Sequence, residues 1–239
     1  MMGCIYHRLI LTAVMLWAPA VSASDLTRAE VVTLVEQAGA DSKADLSRRD
    51  LTGLDLSGLD LSGVDLFAAK LEGTNLKNAN LAKANLNRAI MRNADLSNAD
   101  LSGASLYAVV MNGATIAGAD LSATRIIGEM QAVKARGAKF TGADLGADAA
   151  NQGMVPVRVD MERAVLEGAD FEDANLTHAV LSYADLRSAN LKGAKLNWAK
   201  LAGADLQGAV VGGADFTGAE LDGAKLGALV GAEKAQGLP

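Results

Sequence analysis

The chain has 239 residues, half of them apolar, with 22 basic against 28 acidic side chains and a formal net charge of -6. That is enough to bury a long core, but aromatics make up only 4%, so the core must be a narrow one of leucine and alanine. The acidic balance leaves no basic footprint for nucleic-acid binding and disfavours anionic membrane surfaces.

Residues 1–23 read as a secretory signal peptide. His7 and Arg8 precede an apolar run from Leu9 to Trp17, and Val21 and Ala23 supply the small residues of a cleavage site. The run is too short for a membrane span of about 20 residues. Cys4 lies before the apolar run, on the wrong side for a lipoprotein cysteine. Cleavage after Ala23 predicts an extracytoplasmic protein, in the bacterial periplasm, without stable membrane insertion. The mature chain then has no cysteine, which excludes disulfides, thiol catalysis and cysteine metal sites.

Residues 24–43 hold a helix. Thr27-Arg28-Ala29-Glu30 is a capping box, Leu26 and Val31 are spaced as a hydrophobic staple, and Val31, Leu34, Val35 and Ala38 make one apolar stripe that stops at Gly39. This stripe predicts a lid over the first turn of the domain that follows; a rival reading, a partner-binding helix, requires the stripe to be exposed.

From residue 44 to 127 a bulky apolar residue returns every five positions, from Leu46 to Ile126, with a small residue two places before most of them. No regular element keeps such a period on one side. A helix turns residues five apart roughly 140° away from each other at about 100° per residue, and a straight strand sends an odd period to alternate faces. The chain must bend once per repeat, and identical steps then stack into a solenoid. Glycine at Gly53, Gly58, Gly63 and Gly73 suits such corners, while Asn78, Arg88, Asn93 and Ala108 at the same place predict that two turn types mix.

If residues twenty apart stack, the outside reads as ladders. Asp60, Asn80, Asp100 and Asp120 make one and Asp55, Asn75, Asp95 and Thr115 another. Carboxylates spread along a column do not converge as a metal site needs, so these are expected to brace corners on a solvated face, and no metal or cofactor is expected. A second set is apolar: Ile90 and Val110 in one column, with Phe67, Tyr107 and Ile127 beside them. They form either a partner surface or a patch covered by the interruption that follows.

Residues 128–158 break the count. Glu129 to Arg136 predicts a short helical turn, Phe140 and Leu145 restore two repeats, and Gly146 to Arg158 reads as a loop, either a site of specificity or a tolerated bulge. From 159 to 228 the period is unbroken, from Met161 to Leu226. Here His178 and Trp198, twenty apart, should be stacked neighbours with Tyr183 one corner away, either as a weak binding patch for a partner or a sugar or as corner decoration. The tail, 229–239, either caps the last coil or contributes to a homodimer through the carboxyl end.

Ala169-Asp170-Phe171, Ala174-Asn175-Leu176, Ala184-Asp185-Leu186 and Ala204-Asp205-Leu206 carry a motif that closely resembles the pentapeptide-repeat family. The resemblance covers most of residues 44–228. It implies an all-β solenoid, a right-handed quadrilateral β-helix with four repeats per coil, here with a short amino-terminal capping helix. No defined functional motif of the family is matched, and with one histidine in the mature chain and no phosphate loop the constellation an enzyme needs is absent. The expected function is a non-catalytic extracytoplasmic scaffold for an unknown protein partner. The alternative, carried by the family, is a DNA mimic that binds or inhibits topoisomerases; it requires the leader not to be used for export.

Overall fold

Five residues build one side of a coil. With the bulky residue as position 0, the side chains at -2 and 0 turn inward, and Leu181, Leu186 and Leu191 with Ala179, Ala184 and Ala189 are buried. Residues at -1 form parallel bridges twenty apart, as in Asp45 to Asp65, Asp55 to Asn75 and Asp185 to Asp205. Four such rows make one coil. Side one is centred on Leu46 and Leu66, side two on Leu51 and Leu71, side three on Leu56 and Leu76, and side four on Leu61 and Leu81. The computed structural model describes residues 25–38, 43–147 and 158–239. The leader with Cys4, Val21 and Ala23, the helix stop at Gly39, and residues 148–157 lie outside the described residues.

Backbone hydrogen bonds hold one coil to the next. The position 0 amide reaches across, as Leu56 N–H to the Asn75 carbonyl at 2.7 Å, and so does the corner amide at +2, as Gly58 N–H to the Lys77 carbonyl at 2.8 Å. The corner amide explains a departure from expectation. Corners do not mix two turn types: Asn78 (φ 54), Arg88 (φ 61), Asn93 (φ 56) and Ala108 (φ 57) adopt the same left-handed backbone as Gly58 (φ 67) and Gly73 (φ 64). The inter-coil bonds that the Asn78, Arg88 and Asn93 amides donate to Ser97, Tyr107 and Asn112 go with this conformation and override a local preference of roughly 1–2 kcal/mol.

The interruption is also not what the sequence predicts. Glu129–Arg136 forms no helix; β1 (Ser105–Val110) and β2 (Arg125–Glu129) pair in parallel with a register shift between Tyr107 and Val109. Ala108 has no partner in the next coil, so that coil is one residue short, nineteen from Thr115 to Lys134. Met130, Ala135, Phe140 and Leu145 are its buried centres. The following bridges span thirty-one residues, Lys134 to Val165 and Lys139 to Asp170, a normal coil of twenty plus eleven residues inserted before β3 (Val159–Asp160). Helical periodicity in Glu129–Arg136 was weak competition for this continuous core. Phe140 and Phe171, on either side of the insertion, stack at 4.6 Å and 3°.

Gly128 permits the short coil. Its φ is 149°, and a Cβ there would collide with the Val109 backbone.

Helix α1 (Arg28–Ala38) lies at the amino end of the solenoid. The capping box forms as the sequence predicts: Glu30 Oε2 accepts from the Thr27 amide at 2.7 Å and its hydroxyl at 2.8 Å. Val31 is fully buried, and Leu34 and Val35 pack half-buried against the core. Arg28 donates to the Asp55 and Ser57 carbonyls at 2.6 and 3.0 Å. At the other end, Leu221, Leu226 and Leu229 are only partly buried, and a single 3-10 turn (Ala232–Lys234) precedes the last residues.

Candidate interaction surface

The outward positions -1, +1 and +2 carry all the chemistry, and most of the carboxylates at -1 are occupied in holding the fold. Asp55, Asp60, Asp100 and Asp120 accept from the +1 amides of Ser57, Ser62, Ser102 and Ser122 at 2.8–3.1 Å. Hydrogen bonds from Ser57, through its side chain and then its backbone, hold the Asp55 carboxyl below its ordinary range; Thr217 and Asn197 do the same for Asp215. Between coils, asparagine Nδ2 donates to the aspartate beneath: Asn75 to Asp55 at 2.9 Å, Asn85 to Asp65 and Asn190 to Asp170 at 2.8 Å. The ladders therefore brace corners, and asparagine turns a like-charge contact into a hydrogen bond. Among the described residues no three acidic, histidine or cysteine side chains gather as a metal site.

The edge where side one turns into side two is built differently. Its +1 residues are Ser47, Phe67, Asn87, Tyr107, Ile127, Gly146, Thr177, Asn197 and Thr217, and its corner residues include Arg48, Ala68, Arg88, Ala108, Ala147, His178 and Trp198. None is a carboxylate. At the same positions the other edges carry Glu72, Glu162 and Asp222 after side two, Glu167 after side three, and Glu172 and Asp173 after side four.

The residues singled out from sequence gather along this edge. Phe67 is half-buried between two arginines, with Arg48 at 5.8 Å and Arg88 at 5.9 Å from its ring centre. Tyr107 is half-buried, and its amide donates to Asn87 Oδ1 at 2.8 Å. Ile90 and Val110 are bridged neighbours on the adjoining side two, both half-buried. Ile127 does not belong to the exposed set: it is fully buried yet lies outside the central cluster. The missing corner residue draws Ile127 into β2, where it pairs with Tyr107.

His178 and Trp198 stack at 5.3 Å and 14°, and the indole on its other face lies where a Gly218 Cβ would stand, 2.6 Å from Cδ1 and Nε1. Tyr183, on the next corner, is held between Arg163 at 5.8 Å and Gly203. Trp198 and Tyr183 remain 55% and 61% exposed, each with one neighbour over its ring, His178 and Arg163. Sequence reasoning missed Arg48, Arg88 and Arg163. Their signal was present: Arg48 and Arg88 lie nineteen and twenty-one residues from Phe67, one coil to either side.

Twenty-residue coils joined by short parallel bridges, with an alanine-leucine column inside, define a β-helical repeat protein. The chain belongs to the pentapeptide-repeat family: the family model for pentapeptide repeats matches eight copies over overlapping segments between residues 42 and 126 and again over 157–193 and 194–227. Among solved structures, HetL of the cyanobacterium Nostoc, a pentapeptide repeat protein involved in heterocyst differentiation regulation, is 28% identical with a TM-score of 0.47 over 84% of this chain and 95% of its own. QnrB1, a plasmid-mediated fluoroquinolone resistance protein, is 20% identical with a TM-score of 0.40 over 75% of this chain and 90% of its own. A pentapeptide repeat protein of the Arabidopsis thaliana thylakoid lumen is 33% identical with a TM-score of 0.24, over 45% of this chain and 61% of its own. No curated protein matches.

Proposed function

We propose that the chain is a non-catalytic, extracytoplasmic protein-interaction scaffold, exported by residues 1–23 and cleaved after Ala23. Its coil winds right-handed, as is usual in its family, and α1 caps the first coil, with residues 44–127 and 159–228 as two repeat blocks around the 128–158 interruption and residues 229–239 as a tail. The observation that carries the reading is the side-one edge, where Phe67 and Tyr107 at +1 and His178 and Trp198 at the corners stand outside the core. Rigid backbone with adaptable outward side chains is what a docking surface requires.

The partly buried end of the last coil, with a crevice of about 410 Å³ lined by Leu226, Leu229, Ala235 and Leu238 among others, supports a homodimer through the carboxyl end. The topoisomerase reading needs an unbroken acidic stripe. Lysines enter the ladders instead and pair with the aspartate of the coil before: Lys70 with Asp50 at 3.3 Å, Lys139 with Asp120 at 3.9 Å and Lys225 with Asp205 at 3.0 Å. This speaks against it.

Sequencing the amino end of the mature protein, with cell fractionation, tests the proposal. Ser24 as the first residue in an exported pool is the expected result. An intact start in the cytoplasm overturns export and revives the topoisomerase alternative.

A further inference from the structure

We propose that the edge between sides one and two takes an acidic polypeptide segment, laid in extended form along the solenoid axis; this rests on the scaffold reading and names the chemistry of its partner. The protein has a net charge of -6, yet this strip of +1 and corner positions holds no carboxylate among the described residues. Its cations are also unspent. Arg92 is paired with Glu72 at 3.2 Å and Lys70 with Asp50, whereas the contacts of Arg48 and Arg88 are with the ring of Phe67. Among the described residues neither Arg48 nor Arg88 forms an ion pair, and Asp45 feels Arg48 less than it feels Arg49. A guanidinium held over a ring keeps its edge donors directed outward, in the fork that suits a carboxylate.

The spacing narrows the ligand. Arg48 and Arg88 stand two coils apart, about 9.6 Å at the roughly 4.8 Å separation of neighbouring strands. A polyproline II chain brings every third residue to one side and rises about 9.3 Å in three residues. Acidic side chains three apart therefore meet both arginines without distortion, and Ala68 between them leaves the backbone room to lie close. Farther along the same edge His178 and Trp198 continue the strip; of the flanking -1 columns, Lys195 and Lys200 stand beside Trp198, while Asp45, Asp65 and Asp50 beside the arginines are tied up by the amides of Ser47, Phe67 and Thr52. Phe67 lies between Arg48 and Arg88, which leaves the ring between the two cations without the stacking contact a polysaccharide would use and favours a peptide there.

Fluorescently labelled poly-L-glutamate, titrated against the full chain at low salt and followed by anisotropy, tests this. Binding that weakens above the ionic strength at which the screening length falls below about 8 Å is expected. The double reversal R48E/R88E should weaken it at least tenfold, about 1.4 kcal/mol, with the melting temperature unchanged. K83E/K134E makes the same change in net charge on exposed lysines away from this edge and should leave affinity within about twofold. No binding by the unmodified chain, or equal loss in both variants, overturns the proposal. So does binding of heparin without binding of polyglutamate, which would give the strip to a sulfated polysaccharide. A cytoplasmic, uncleaved chain would sink the export reading while leaving these titrations as they are, so the two failures are distinguishable.

Discussion

Two edges of this solenoid share one backbone and differ in what stands on it. Where side one meets side two, Arg48 (φ 59), Arg88 (φ 61), His178 (φ 62) and Trp198 (φ 53) occupy the left-handed corners. Where side three meets side four, Gly58 (φ 67), Gly118 (φ 65), Gly137 (φ 62) and Gly168 (φ 66) hold the same conformation, with asparagine at Asn78 and Asn98. Glycine adopts it freely, and a bulky residue does so at roughly 1–2 kcal/mol. At the first of these edges large side chains therefore stand against a local cost, over a core that is alike at both; Lys83, Arg163 and Tyr183 do the same on the two remaining edges. Part of that cost is offset by the contacts of Arg48 and Arg88 with Phe67 and by the stacking of His178 on Trp198.

The comparison breaks first if the core is not common to both edges. Leu186→Ala under the third side and Leu196→Ala under the first both remove a fully buried side chain and should each cost about 2–5 kcal/mol in denaturant unfolding. A large difference between them would mean the two edges rest on separate cores. Gly128→Ala comes next, at about 2–4 kcal/mol, since its Cβ must displace the Val109 backbone and the chain must leave a conformation that favours glycine. Gly168→Ala meets no atom within 4 Å and should cost only about 1 kcal/mol.

The acidic braces set a smaller, pH-dependent effect on all sides. Asp45, Asp50, Asp55, Asp185 and Asp215 have carboxyls held below their ordinary range, chiefly by hydrogen bonds from Ser47, Thr52, Ser57, Arg187 and Thr217 respectively. A depressed folded value means that the stabilisation is present above the unfolded carboxyl range, near 3.9, and is lost as pH falls through the lower folded values. The melting temperature should hold from neutrality to about pH 5 and fall below pH 4; a protein equally stable at pH 2 would show the braces to be inert. The smallest effects belong to the decorated edge: Phe67→Ala and Trp198→Ala should each change stability by less than about 1 kcal/mol, and a larger loss would move those rings into the core.

The periodic part of this molecule was legible because period five admits one solution, a corner per repeat, and neither Leu46 to Ile126 nor Met161 to Leu226 contradicts it. The capping box of Thr27 and Glu30 and the His178–Trp198 stack were legible for the same reason, being fixed offsets. What sequence misjudged was local. Gly128 removes one residue from a coil, and a one-residue change is indistinguishable from the end of a pattern unless the stack beneath it is known. That shift hid Met130 and Ala135 as centres, suggested a helix where there is none, and left Ile127 assigned to the surface. Arg48 and Arg88 were overlooked because cation and ring lie in different coils, at separations of nineteen and twenty-one that no single repeat displays.

A single dry column running unbroken beneath unequal edges is most directly tested by amide hydrogen exchange across the interruption. Leu121, Phe140 and Phe171 donate to Lys139, Asp170 and Asn190 in three successive inter-coil bonds of 2.6–2.7 Å. Their amides should exchange with one common protection, near the global unfolding limit. Fast exchange at Phe140 beside slow exchange at Leu121 and Phe171 would split the solenoid into two blocks and contradict the shared core.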